Sequence, residues 1–308
     1  MSEVATGFLE GPDTVRVFYR AWETPDPVGC VLGVHGLGEH GGRYQCLADA
    51  IAPLGLSLYA IDMRGHGRSA GRRGHVVDFD SLLGDVDRLR VLAGGGRGDR
   101  PLFLVGHSLG GLVVGRYAQS FAPDGLEGVV FVAPFVDVAM DVPNWKRRLG
   151  DVADRLVPAL TMDNGLEVEE LFREEAERSA YTGDPLVHRR ISARLWGEMQ
   201  RSARQLTAEA DRLRVPALLQ LAGTDTVVSN PAARRFAARL VSPPEIREYG
   251  GAYHALFRDP RGPEALEDLR QWLAGRLGQR GGAARRPRRR GADTYGQQEP
   301  VESTVEDR

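Results

Sequence analysis

The sequence predicts an α/β fold: a mostly parallel, doubly wound sheet with a helical stretch inserted into it. Three observations carry the prediction. Short runs that are apolar throughout recur along the chain, as strands buried on both faces require. Helix-length segments separate them, which is the spacing a parallel connection needs. The third run, Pro101-Leu102-Phe103-Leu104-Val105, leads straight into Gly106-His107-Ser108-Leu109-Gly110 and then a helix-like run. Strand, sharp turn and helix are the context of a nucleophile elbow.

In chain order, Thr14 to Trp22 follows a Gly11-Pro12-Asp13 turn signal with partial alternation and reads as an antiparallel edge strand. Val28 to Val34 is the first apolar run and ends in His35-Gly36-Leu37-Gly38. Leu56 to Ile61 is the second and ends in Asp62-Met63-Arg64-Gly65-His66-Gly67-Arg68-Ser69. After the run before Ser108, Val129 to Val132 and Pro216 to Leu221 are the fourth and fifth. Tyr44 to Pro53, Phe79 to Ala93 and Leu109 to Ala122 fit crossover helices.

The beat breaks between residues 137 and 210. Ile191, Leu195, Met199, Ala203 and Leu206 recur there at helical spacing, and Trp145, Leu156, Val157, Leu160, Met162, Leu166 and Trp196 add apolar weight. We read 137–210 as a helical cap inserted between a first core part, 1–136, and a second, 211–279; a few extra core helices are the alternative. From Arg280 onward, Arg285, Arg286, Arg288, Arg289 and Arg290 cluster among Gly, Ala and Pro, and the end turns acidic. Low hydrophobicity with segregated charge predicts a disordered, solvated tail over 280–308.

Composition narrows the function class. With 308 residues, 42% apolar and 27% charged, the chain suits a soluble globular protein with a sizeable core. A formal charge of −2 gives no pull toward nucleic acid, and no nucleic-acid partner is expected. Cys30 and Cys46 make no disulfide framework, and Cys30, inside an apolar run, reads as a small core residue. The N-terminus carries no basic region followed by an apolar one, and no run approaches 18 apolar residues. Neither signal peptide nor membrane span is expected, so the location expected is cytoplasmic.

A serine hydroxyl needs a base within hydrogen-bond reach. In doubly wound sheets the reactive groups gather at the carboxyl ends of strands. An elbow serine is followed by its acid and then its base. Of seven histidines only His254 comes after the fifth strand. His107 adjoins Ser108, but neighbouring side chains diverge on such a turn. The acid is Asp225, in Ala222-Gly223-Thr224-Asp225 just past the fifth run, with Asp137 as runner-up. Its role would be to hold the imidazole tautomer. The oxyanion needs two backbone donors: the Leu109 amide at the start of a helix, and the Leu37 amide in the glycine-rich loop. No metal or organic cofactor is indicated, because there is no ligand cluster and no phosphate-loop lysine.

Together these segments resemble the monoacylglycerol lipase and lysophospholipase branch of the α/β-hydrolases. His35-Gly36-Leu37-Gly38-Glu39-His40-Gly41-Gly42-Arg43-Tyr44 is similar to that branch's oxyanion loop. Asp62 to Ser69, Gly106 to Gly111, Asp225 and Tyr253-His254 match its other motifs. The likeness runs from about Val17 to Leu273 and is weakest in 137–210. It implies a serine hydrolase of carboxylic esters, often of one acyl chain on glycerol, with Glu39 and Arg43 at the polar end of the pocket. The residues also allow these two to pair and brace the loop, and Asp62 and Arg64 read as braces of a strand end. The expected reaction is hydrolysis of single-chain lipid esters, monoacylglycerol foremost. A short-chain carboxylesterase, a lysophospholipase or a peptidase of the same fold are the enzyme alternatives, and a non-catalytic ligand-binding protein is the alternative from another class. Peripheral membrane contact through the cap is a further expectation.

Overall fold

The computed structural model describes residues 4–9, 15–94, 100–139 and 144–284. β1 (Val4–Leu9) and β2 (Val17–Trp22) pair antiparallel. β3 (Gly29–Val34), α1 (Gln45–Ile51) and β4 (Leu56–Ile61) follow. Then come α2 (Asp80–Gly94), β5 (Leu102–His107), α3 (Leu109–Phe121) and β6 (Leu126–Val132). The long segment after β6 holds α4 (Asn144–Leu156), β7 (Thr161–Asp163), α5 (Val168–Leu171), α6 (Glu175–Thr182), β8 (Arg190–Ser192) and α7 (Ala193–Ala208). β9 (Ala217–Ala222), α8 (Asn230–Ala237), β10 (Glu245–Tyr249) and α9 (Gly262–Ala284) return to the main sheet.

The main sheet runs β1-β2-β4-β3-β5-β6-β9-β10 and is parallel from β4 to β10. Its central strands are buried on both sides, and each sends alternate residues to two separate cores. Leu104, Phe131 and Leu219 face one core, shared with α2, α3, α7 and α8. Phe103, Val130 and Leu218 face the other, shared with α1 and α9. Period-two alternation thus survives inside runs that are apolar throughout.

Two expectations change. The strand expected at the edge, β2, is antiparallel but lies between β1 and β4, so β1 is the edge. α9 continues past Arg280 to Ala284, so the tail expected from 280 cannot begin before 285, and 285–308 lie outside the described residues. In the stretch 137–210, Leu195, Met199, Ala203 and Leu206 of α7 join the main core, so this helix is core on its inner face. It begins two residues after Ile191, where the Ser192 hydroxyl accepts the Leu195 amide at 3.0 Å and caps it. Cys30 is half-buried in β3, and both cysteines are free thiols. Among the described residues, no helix is long and apolar enough to cross a membrane.

Candidate active site

Ser108 stands between β5 and α3 with φ 53° and ψ −117°, a left-handed backbone that a non-glycine residue adopts only when its surroundings impose it. The two flanking glycines explain how the chain tolerates it. A Cβ on Gly106 would run into the Gly110 carbonyl, and one on Gly110 into the Val34 carbonyl. The turn therefore packs backbone on backbone, and the Ser108 side chain is left at the mouth of the sheet.

Loops at the carboxyl ends of the neighbouring strands supply the other groups. His254 follows β10, and its Nδ1–H donates to Asp225 Oδ2 at 2.8 Å. Asp225 follows β9, and its other oxygen accepts the Val227 and Val228 amides, each at 2.9 Å. Burial raises the Asp225 pKa, but the His254 charge, its hydrogen bond and the two amides outweigh that and hold it below the ordinary value. Its oxygens thus stay acceptors, which fixes the proton on His254 Nδ1 and leaves Nε2 unprotonated in the neutral ring.

Ser108, His254, Leu37 and Glu39 line one cavity of about 20 Å³. Leu109 is the first residue of α3, where amides lack intrahelical acceptors. Among the described residues, the Leu37 amide donates to no other group. Both expected oxyanion donors are therefore available for a negative oxygen. The runner-up acid, Asp137, is engaged elsewhere: its carboxylate accepts the Val138 amide and faces the groove between α7 and α8.

Glu39 and Arg43 pair across the loop after β3, with Nε 3.1 Å from Oε1, although the angle falls short of a hydrogen bond. The Arg43 guanidinium also lies over the Phe172 and Tyr181 rings, at 5.3 and 5.2 Å from their centroids. Asp62 binds Arg20 and the Gly41 and Arg68 amides, and Arg64 is bidentate on Asp85, so both brace loops as expected.

Two sets of residues at this site escape sequence reasoning. His107, set aside as a base, faces two acceptors: Glu39 Oε2 at 3.2 Å and the His254 carbonyl at 3.1 Å. Two acceptors suit two N–H donors, so this arrangement favours the protonated ring. Burial would depress its pKa, but Glu39 more than offsets that and raises it, while His107 and Arg43 hold Glu39 well below the carboxylate range. The His107 ring thus ties Glu39 to the backbone of His254. The adjacency of His107 to Ser108 was visible in sequence, but its partners were not. The second set is the apolar wall: Leu171, Phe172 and Tyr181 from the segment after β6 join Leu166, which the sequence itself marks as apolar, and close over the cavity against Ala255. Among the described residues there is no grouping of His, Cys, Asp and Glu suited to a metal ion.

Residues 25–261 match the family described as serine aminopeptidase, S33. Over 271 residues the chain is 30% identical to a monoacylglycerol lipase of Mycolicibacterium smegmatis, covering 87% of this chain and 96% of that protein. It is 26% identical to the phospholipase YtpA of Bacillus subtilis, covering 81% of this chain and 96% of that protein. The crystal structure of a monoacylglycerol lipase from Paleococcus ferrophilus has a TM-score of 0.78 to this chain at 35% identity, covering 84% of this chain and 99% of that one.

Proposed function

The chain belongs to the serine aminopeptidase (S33) family of α/β-hydrolases, and from that premise we propose that it cleaves carboxylic esters of single-chain lipids, monoacylglycerol foremost. The relatives support lipid-ester hydrolysis as the class of reaction. The observation that carries the residue assignment is the Asp225–His254 hydrogen bond opening onto the same cavity as the strained Ser108.

In this reading, His254 Nε2 takes the Ser108 proton as Oγ adds to the ester carbonyl. The carbonyl oxygen becomes an oxyanion held by the Leu37 and Leu109 amides; losing one such donor costs about 3 kcal/mol of barrier. The proton passes from His254 to the leaving alcohol, the acyl group stays on Ser108, and water completes the cycle by the same route. Asp225 stabilises the imidazolium throughout. The walls divide by polarity: Leu166, Leu171 and Phe172 suit an acyl chain, while Glu39, Arg43 and His107 suit the alcohol. We read 137–210 as a cap over this site. Its exposed Val152, Leu156, Val157, Leu160 and Met162 form the face it would present to lipid.

A substrate panel tests the proposal, running from short p-nitrophenyl esters through monoacylglycerols and lysophospholipids to triacylglycerols. Monoacylglycerol should be the preferred class, and a maximum at acyl chains of about two to four carbons would refute the lipase reading. Ser108→Ala should lower kcat by about 10⁶-fold, and retained hydrolysis would remove Ser108 as nucleophile. Leu156→Asp should slow hydrolysis of vesicle-embedded substrate but not of a soluble ester. Equal rates on vesicles would end the lipid-face assignment.

A further inference from the structure

A second concavity, of about 410 Å³, lies between α7 and α8 and shares no lining residue with the ester site. Its walls follow from helical spacing. Gln200, Arg204 and Thr207 recur on one face of α7, while Ala232 and Arg235 on α8, with Arg239 just beyond it, form the facing wall. Ala203 and Ala232 are buried at its base and leave depth between the helices.

The groove gathers three cations around one concavity. Among the described residues, Arg204, Arg235 and Arg239 have no carboxylate within ion-pair distance. Their neighbours behave otherwise: Arg201 pairs with Asp154 and Glu198, Arg212 with Glu209, and Arg234 with Glu248. Asp137 is the one carboxylate lining the groove, so three guanidiniums less one carboxylate leave a formal +2. The buried Gln200 side-chain nitrogen also lacks an acceptor. A cation in the last turn of α8 complements the helix dipole, which accounts for Arg235 but not for Arg204 across the groove.

We propose that this groove binds a phosphorylated anion of at least two negative charges. Planar guanidiniums match phosphate oxygens two at a time, and three around one concavity fit a group with several such oxygens. The volume is that of a small-molecule pocket. The groove lies one hydrogen-bond layer behind the Asp225 loop. The Asp137 carbonyl accepts the Ser229 amide, and the Ala139 amide donates to Val227, whose own amide holds Asp225. This assignment is independent of the ester-hydrolase reading.

Titration calorimetry of the full chain with inorganic pyrophosphate, and co-sedimentation with phosphatidic acid (a phosphomonoester) or phosphatidylcholine vesicles, test the site and identify the source of the phosphate. Saturable pyrophosphate binding that weakens with salt supports a soluble ligand. Retention on phosphatidic acid but not phosphatidylcholine supports a lipid phosphate. In either case Arg204→Gln/Arg235→Gln should weaken binding by about tenfold or more, with short-ester hydrolysis unchanged. Binding to neither probe, or binding undiminished in the variant, overturns the proposal. If the double variant melts early, Arg239→Gln alone supplies the same comparison.

Discussion

His35 is held between a donor and an acceptor that fix its tautomer. Its Nδ1–H donates to the Gly36 carbonyl at 2.7 Å, and its Nε2 accepts the Met63 amide at 2.9 Å. A second proton on Nε2 would face the Met63 N–H, in a site with almost no solvent access. Burial is the main cause that lowers the His35 pKa, from 6.5 to about 4, against the pull of Asp62. A base whose folded pKa is depressed binds its proton more readily in the unfolded chain. Stability from this group is therefore full above 6.5 and is lost as pH falls from 6.5 toward 4. Within that window the slope contributed by one proton is up to about 1.4 kcal/mol per pH unit. His35→Gln keeps an amide donor and an acceptor in place but cannot titrate, so urea unfolding between pH 6.5 and 4 should show a slope smaller by up to one proton. Identical slopes in the two proteins would mean that His35 is already charged when folded. The loop at stake carries Leu37, so acid would weaken the proposed oxyanion site with the fold.

The strand–turn–helix unit around Ser108 is constrained mostly by backbone. Gly110 approaches the Val34 and His35 carbonyls so closely that a methyl group there has no side chain to displace, only main chain. Gly110→Ala should cost about 1–3 kcal/mol, a fall in Tm of several degrees, and an unchanged Tm would mean that the sheet end yields more easily than its packing implies. The same concentration of constraint explains what was legible in the sequence. Gly106 to Gly110 bends the chain with contiguous residues, and the five apolar runs report strands that are buried on both faces. β10 was not legible because Glu245, Arg247 and Glu248 are exposed on an edge strand that leaves no apolar run. The six residues of β1 gave no signal either, because only Leu9 is buried. At the site, chain order singled out Asp225 and His254, since Asp225 follows the fifth apolar run and His254 is the one histidine beyond it. Phe172 and Tyr181 could not be found that way, because an apolar side chain in a helical segment reads the same whether it packs within that segment or over Ser108.

At the scale of the whole molecule, the segment after β6 closes the candidate site almost completely. The cavity at Ser108 holds about 20 Å³, against roughly 300 Å³ or more for a pocket that encloses a small ligand. No acyl chain enters unless α5 and α6 move. What holds them is mostly polar and local: a small cluster of Leu171, Phe172 and Tyr181 on Ala255 under the Arg43 guanidinium, an imidazole–carboxylate contact from His40 to Asp184 at 2.8 Å, long ion pairs of Glu177 with Arg43 and Arg258 at 3.9 Å, and single bonds such as Arg173 to the Gly251 carbonyl and Ala255 N–H to the Leu171 carbonyl, each at 3.0 Å. A region with so few buried apolar partners belongs to the low end of local stability, where opening precedes global unfolding. The Ala255 amide is a direct reporter, because its acceptor leaves with α5. Acylation-like labelling of Ser108 by a long-chain alkyl fluorophosphonate should speed hydrogen exchange at Ala255 and across α5 and α6, while β5 and α3 stay protected. A methyl fluorophosphonate, small enough to leave the wall closed, should leave those amides near their resting rates. Equal protection after both labels would mean that the acyl chain leaves the site by another route and that this wall is not the door.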